Sequence, residues 1–262
     1  MKIKNLVRNA SKPGYGKVMV GKVISRLEPG AFTPSTIASE WYEQNAVDLE
    51  STSLRTDRDL LKHAICASND LAEWGKAKLA EVNVELGGGA VSALLYYAVR
   101  KLRPDIVVET GVAAGYSSNT LLTAIRENGK GQLFSSDFPY FRLENPEQYI
   151  GIVVKPELKA NWTLLTKGDE NNLPEILNRL EGRQIDLFHY DSDKSYHGRE
   201  RALAIVAPAL KDDSLIIFDD IVDNSHFYDW ITSNNFRFRI IRFGAKLNGV
   251  TTRRSPLIDG LF

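Results

Sequence analysis

The segment from Ile106 to Ile125 limits what this chain can fold into more than any other. An apolar run, Ile106-Val107-Val108, ends in Glu109, and a turn containing Gly111 and Gly115 follows. Ser117 and Ser118 then open a stretch with helical character, Asn119-Thr120-Leu121-Leu122-Thr123-Ala124-Ile125. A strand, a glycine turn and a helix N-terminus in that order place backbone N–H groups where they can face a ligand. Glycine serves there because a side chain would block close approach or forbid a positive φ. The spacing is Glu-x-Gly-x-x-x-Gly, not the Gly-x-Gly-x-x-Gly of dinucleotide-binding turns. Taken alone, such a turn is explained equally well by packing.

The downstream chain repeats the pattern. Strands are expected at 106–110, 132–136, 162–166, 185–190 and 215–218, several of them nearly continuous apolar runs of the kind that sheets covered on both faces require. Helical stretches such as 173–180 and 200–210 lie between them. The end differs: 236–243 and 246–252 are joined only by Gly244-Ala245, which reads as an antiparallel hairpin. The fold class is therefore α/β, with the main domain expected over 104–262. Residues 56–103 read as two helices packed on that core, the first opened by the capping box Thr56-Asp57-Arg58-Asp59. Gly87-Gly88-Gly89 breaks the two helices apart, and Pro104 stops the second. Residues 1–55, punctuated by Pro13-Gly14, Pro29-Gly30 and Pro34, read as an irregular basic arm.

Charge and composition narrow the function classes. The formal net charge is zero, which argues against an enzyme whose affinity comes from nucleic-acid phosphates. That zero conceals an asymmetry, because residues 1–30 hold seven Lys and Arg against the single acid Glu28. The only cysteine, Cys66, excludes an internal disulfide, fits a reducing compartment and reads as a buried structural thiol. No apolar run approaches transmembrane length, and Val18-Met19-Val20 is cut short by Gly21-Lys22, which makes a poor signal peptide. A cytoplasmic protein acting on a small molecule, with the arm favouring a homo-oligomer, is the expectation.

The loop at 109–118 resembles the nucleoside-binding loop of class I S-adenosylmethionine (SAM)-dependent methyltransferases. That resemblance implies a Rossmann-like, seven-stranded, mostly parallel sheet of order 3-2-1-4-5-7-6 ending in an antiparallel hairpin, with SAM as cofactor. Ligands in such sheets sit beyond the carboxyl ends of the strands. The residues implied in SAM binding are Glu109, Gly111 and Gly115 in the loop, Ser117 at the amino-acid end, Asp137 at the ribose, Gly168 and Asp169 at the adenine, and Asp191. Each has an ordinary structural explanation as well: Asp137 can start a turn before Pro139, and Asp169 can cap the following helix.

Two further strand ends narrow the likeness. Residues 186–190 run into Asp191-Ser192-Asp193-Lys194-Ser195-Tyr196-His197, and 215–218 run into Asp219-Asp220. Carboxylates converging from neighbouring strand ends repel one another unless something cationic sits between them. Oxygen-only ligands suit Mg²⁺ or Mn²⁺. Residues 85–255 resemble the metal-dependent macrocin- and novobiocin-type sugar O-methyltransferases of antibiotic biosynthesis. The resemblance implies Asp191, Asp219 and Asp220 as Mg²⁺ ligands, Asp193 as general base, and a sugar or glycoside hydroxyl as acceptor. The chain departs from the usual Asp-Gly-Asp-His-Ser-Tyr run, with Ser192 for the glycine and Lys194 for the histidine, and His197 is an alternative base. Asp219-Asp220 could equally start the next helix. The competing functions are a metal-independent or catechol-type methyltransferase, a non-catalytic nucleotide-binding module, and an arm that docks on an anionic surface.

Overall fold

A computed structural model describes residues 3–49, 57–82, 84, 86 and 91–252. Thr56 and the Gly87-Gly88-Gly89 break lie outside them. The N-terminal arm is helical: α1 (Ile3–Ala10), α2 (Tyr15–Leu27) and α3 (Thr36–Asn45) precede a three-residue strand β1 (Ala46–Asp48). Next come α4 (Arg58–Ala80) and α5 (Ser92–Leu102). The alternating unit follows as β2 (Ile106–Thr110), α6 (Tyr116–Asn128), β3 (Gln132–Ser136), β4 (Trp162–Leu165), α7 (Asp169–Arg179), β5 (Ile185–Tyr190), α8 (Tyr196–Val206) and β6 (Leu210–Phe218). The chain then forms α9 (His226–Asn234), β7 (Arg237–Phe243) and β8 (Lys246–Thr252).

The strands form one sheet in the order β1-β7-β8-β6-β5-β2-β3-β4. Only β8 runs antiparallel to its neighbours, against β6 and β7. The expected seven-stranded order is present, and β1 adds an eighth strand, parallel to β7, at the edge. Three residues carry too little periodicity to announce a strand, so pairing with β7 alone creates it. The same holds for the first half of β6, where Lys211, Asp212 and Asp213 carry no strand pattern of their own.

Both sheet faces are covered, as the apolar runs imply. Val107, Leu133, Leu187 and Ile217 pack beneath Leu61, Leu94, Leu95, Leu121 and Leu122 of α4, α5 and α6. Their neighbours Val108, Phe134, Phe188 and Ile216 face the other way, onto Tyr42, Leu173, Ile176, Leu203 and Phe227. The alternation of faces along each strand makes adjacent apolar residues serve opposite layers. Asp57 caps α4 by accepting from the Leu60 N–H at 3.1 Å.

The arm, read as irregular, is helical and lies on the core. Its position 9, a fully buried asparagine, donates to the carbonyls of Phe141 at 2.8 Å and Leu143 at 3.0 Å. Arg8 pairs with Glu144 at 3.0 Å and Lys12 with Glu147 at 2.5 Å. The excess positive charge of the arm thus meets acids on the segment that follows β3. Cys66 is exposed, contrary to the buried thiol expected from its helix. Among the described residues no helix is long and apolar enough to cross a membrane.

Candidate active site

Above the carboxyl ends of β2, β3 and β5 lies a cleft of about 450 Å³. Its floor is the β2–α6 loop, with Gly111, Val112, Ala113, Tyr116 and Ser117. One wall is Asp137 and the segment 138–142, and the other is Asp191, Ser192 and Lys194 with Lys246 of β8. Lys22 and Arg26 of α2 close it from above.

The loop owes its shape to backbone proximity. Gly111 has φ +83°, and a Cβ there would sit 2.0 Å from the Asp191 carbonyl oxygen. Gly115 has φ +99°, and a Cβ would lie 2.8 Å from the Cα of Gly151. Both glycines are required before any ligand is considered, and of the two only Gly111 lines the cleft. Glu109 lies beneath the loop, fully buried, where it accepts from Ser118 Oγ at 2.6 Å and Ser135 Oγ at 2.9 Å. It clamps the start of α6 to the sheet and does not face the cleft. His189, also fully buried, stands 3.5 Å from Glu109. Burial opposes its charge, but the carboxylates of Glu109 first, then Asp191 and Asp219, outweigh that and raise its pKa.

Asp137 faces the cleft with its carboxylate aligned by the N–H groups of Phe138 at 2.7 Å and Ala113 at 2.8 Å. Burial pushes it up to about 6, against the pull of those two donors and of Lys22. Asp169 is held otherwise. Its carboxylate accepts from Ser136 Oγ at 2.6 Å and from Ser192 Oγ. Gly168, with φ +84°, donates its N–H to the Asp137 carbonyl at 3.0 Å and lies under Val18 of α2. Gly168 and Asp169 therefore shape the wall from behind.

The acidic residues meet as the strand ends require. Asp219 is almost completely buried at the end of β6, and Arg199 of α8, fully buried, donates to the carbonyls of Asp219 at 3.2 Å and Asp220 at 2.7 Å. Between the carboxylates stands an ammonium. Lys194 Nζ is 3.1 Å from Asp191 Oδ1 and 3.0 Å from Asp219 Oδ2, and it also contacts Asp220 Oδ2. Lys246 Nζ adds contacts of 3.2 Å to Asp219 and 2.9 Å to Asp220. Burial would raise Asp219, yet the two lysines bring it down to about 2. Asp191 is raised, by burial first and by the charge of Asp219 next.

That arrangement bears directly on the implied Mg²⁺. A hard divalent ion needs about six oxygen ligands at 2.0–2.6 Å, and an ammonium offers donors only. Asp219 Oδ2 and Asp220 Oδ2 each already accept from both lysines, and Lys194 is ion-paired with Asp191, so the residues present do not fit the ion. Among the described residues no cluster of His, Cys, Asp or Glu has the arrangement of a metal site.

The two base candidates stand outside the cleft lining. Asp193 accepts from the Ser195 N–H at 3.1 Å and from Ser25 Oγ of α2 at 3.3 Å. His197 is half-exposed and turned to Glu200 at 2.9 Å. Lys246, Arg199, Lys22 and Arg26 went unnoticed as site residues in the sequence. Of these, only Lys246 carried a signal. In the antiparallel register Phe218 pairs with Gly249, so a residue three places before Gly249 overhangs the Asp219-Asp220 end of β6.

Residues 108–221 match the family model of a methyltransferase domain. Solved structures similar to this chain include a methyltransferase from Geobacter sulfurreducens, at 16% identity over 70% of this chain and 90% of that one, with a TM-score of 0.50. The O-methyltransferase TomG from Streptomyces achromogenes, involved in tomaymycin synthesis and solved with SAM, is 14% identical over 81% of this chain and 99% of its own, at a TM-score of 0.56. An O-methyltransferase from Bacillus cereus, solved with S-adenosylhomocysteine (SAH), is 13% identical over 82% of this chain and 99% of its own, at 0.53. No curated protein sequence matches the chain significantly. The likenesses establish the fold, a Rossmann-like methyltransferase fold with a mostly parallel sheet and a terminal antiparallel hairpin.

Proposed function

We propose that the chain is a SAM-dependent O-methyltransferase acting on a hydroxyl of a small sugar- or polyol-type acceptor. The observation that carries this reading is the convergence on one cleft of the glycine loop, the Asp137 carboxylate, and Asp191 with its lysines. The SAM and SAH bound in the Streptomyces and Bacillus relatives support the choice of cofactor.

When bound, SAM supplies an electrophilic methyl group on a sulfonium sulfur. Asp137 is oriented to accept both ribose hydroxyls, and Ser117 with the α6 N-terminus receives the amino-acid end. Glu109 supports that loop from below, while Gly168 and Asp169 shape the adenine side through Ser192. The acceptor lies under Lys22 and Arg26, against Phe138, Tyr140 and Phe141.

The proton of the acceptor hydroxyl goes to Asp191, the carboxylate that lines the cleft and whose pKa burial raises. Asp193, the base implied by the resemblance, is engaged by Ser195 and Ser25, and His197 by Glu200. Metal assistance has no support from the donor set, and no step depends on it. Holding acceptor and methyl donor in line is the remaining contribution of the protein.

Self-association is part of the same reading, because α2 exposes Val20, Ile24 and Leu27. Light scattering tests it. The lone, exposed Cys66 fits the reducing cytoplasm proposed as its compartment.

Calorimetric titration with SAM and SAH tests the core of the proposal, followed by SAH release with a panel of hydroxylated acceptors. Binding lost in Asp137→Ala supports it, and absence of binding in the wild type overturns it. Turnover with catechols but with no glycoside moves the acceptor class to small phenols.

A further inference from the structure

We infer that the cation of the acidic centre is built into the chain: the Lys194 ammonium, seconded by Lys246, takes the place between Asp191, Asp219 and Asp220 that a divalent ion would otherwise occupy. The inference rests on the methyltransferase reading for its catalytic consequence, and on geometry alone for its substance.

Lys194 reaches all three carboxylates, at 3.1 Å to Asp191, 3.0 Å to Asp219 and in contact with Asp220. Two of its N–H groups donate to Asp219 and Asp220, and Asp191 stands at ion-pair distance beside them. Lys246 shares the Oδ2 atoms of Asp219 and Asp220. Three negative charges against two positive ones leave a small excess that needs no further dication. An incoming Mg²⁺ would have to displace Lys194 from oxygens it already holds, and it would meet the charge of Lys246 alongside.

Sequence and fold agree on this substitution. Lys194 stands where the resembled enzymes carry histidine, a residue that can stay neutral beside a metal. Lys246 comes from the other side of the site, on β8, which the antiparallel register with β6 brings over Asp219-Asp220. Arg199 holds the carbonyls of that same turn, so the carboxylates are fixed and the lysines come to them.

The two lysines divide the work. Lys194 neutralises the aspartates and is the less exposed. Lys246 donates to Asp219 and Asp220, lines the cleft, and among the described residues has one N–H left for an acceptor oxygen. In the transfer, the acceptor O–H bond breaks with its proton passing to Asp191. The oxygen forms a bond to the methyl carbon as the carbon–sulfur bond of SAM breaks, and the bonding pair stays on sulfur to give SAH. A fixed ammonium stabilises the negative charge that develops on that oxygen without chelation, so the acceptor needs only one hydroxyl at the site.

The test is Mn²⁺ binding followed by electron paramagnetic resonance on the SAH-saturated full chain, for the wild type, Lys194→His, and the double variant Lys194→Ala/Lys246→Ala. Circular dichroism checks that each variant folds. The expected result is no tight site in the wild type and affinity at least about tenfold higher in either folded variant. Tight Mn²⁺ binding by the wild type overturns the inference, and needs no variant to do so. A folded variant that gains no affinity also overturns it, because the lysines would then not be standing in a cation site. SAH binding, read by calorimetry on the same samples, decides the methyltransferase reading separately: its absence overturns that reading and leaves the Mn²⁺ comparison, repeated without SAH, to decide this one.

Discussion

Gly111 lies so close to Asp191 that a Cβ on the glycine would stand 2.0 Å from the aspartate carbonyl oxygen. The first loop glycine is therefore demanded by the neighbouring strand end as well as by any ligand. Gly111→Ala introduces both that clash and the strain of φ +83° for a residue with a side chain. It is expected to cost about 1–3 kcal/mol of stability and to move Asp191 off the cleft wall. Urea unfolding and SAM titration of the same variant measure the two effects. An unchanged melting curve with unchanged affinity would refute the assignment.

SAM affinity should depend on pH through Asp137. Burial raises this carboxyl to about 6, Asp169 adds to the effect, and Lys22 with two backbone N–H groups opposes it. Ribose hydroxyls donate to the ionised form, so binding favours loss of the proton. Affinity is expected to fall as pH drops through about 6 and to level off above it. Asp137→Asn should bind about ten- to a hundredfold more weakly at pH 7, with a flatter profile. Calorimetry from pH 5 to pH 8 checks both statements.

His189 and Glu109 form a buried pair whose contribution to stability should also titrate. Burial works against a charged His189, but Glu109, helped by Asp191 and Asp219, holds its pKa above the ordinary 6.5. A raised histidine stabilises the fold fully below 6.5 and loses that contribution as pH rises through the folded-state value. The stability difference between the wild type and Glu109→Gln is therefore expected to be largest below pH 6.5 and to shrink above it. Denaturant titrations at several pH values would show it, and a difference that grows with pH would contradict it.

The arm should hold the cleft wall through Asn9 more than through its charges. Asn9 is fully buried and supplies two carbonyls with donors. Asn9→Ala should cost about 1–3 kcal/mol and speed hydrogen exchange across residues 138–147. Arg8 and Lys12 make exposed pairs, each worth about 0–1 kcal/mol, so Arg8→Ala should have a smaller effect.

The base assignment separates two neighbouring carboxylates. Asp191→Asn should lower kcat by about 10²- to 10⁴-fold while SAM affinity changes little. Asp193→Asn removes a partner of Ser195 and Ser25, so it should act mainly on stability. Single-turnover SAH formation distinguishes kcat from binding. The reverse order of effects would restore Asp193 as the base.

Much of this protein is legible in its sequence, where the signal is local. Strands such as Gln132–Ser136 and Ile185–Tyr190 show their ends because an apolar run stops at a polar turn. The convergence of Asp191, Asp219 and Asp220 followed from strand ends in a parallel sheet, and the need for a cation between them followed from charge alone. The identity of that cation did not. Lys246 reaches Asp219 only because β8 pairs antiparallel with β6, and Arg199 only because α8 packs back over the turn. The helices of the arm were likewise hidden: α1 buries Asn5 and Asn9 against the segment after β3 and α2 buries only Ser25, so neither carries an apolar stripe that marks it. Sequence by itself determined the alternating α/β pattern, the glycine loop and the acidic strand ends, all set by neighbours a few residues apart. Only the tertiary structure decided which of those acids face the cleft, which are held by serines, and that lysine stands among them, because these depend on groups far apart in the chain brought within hydrogen-bond distance.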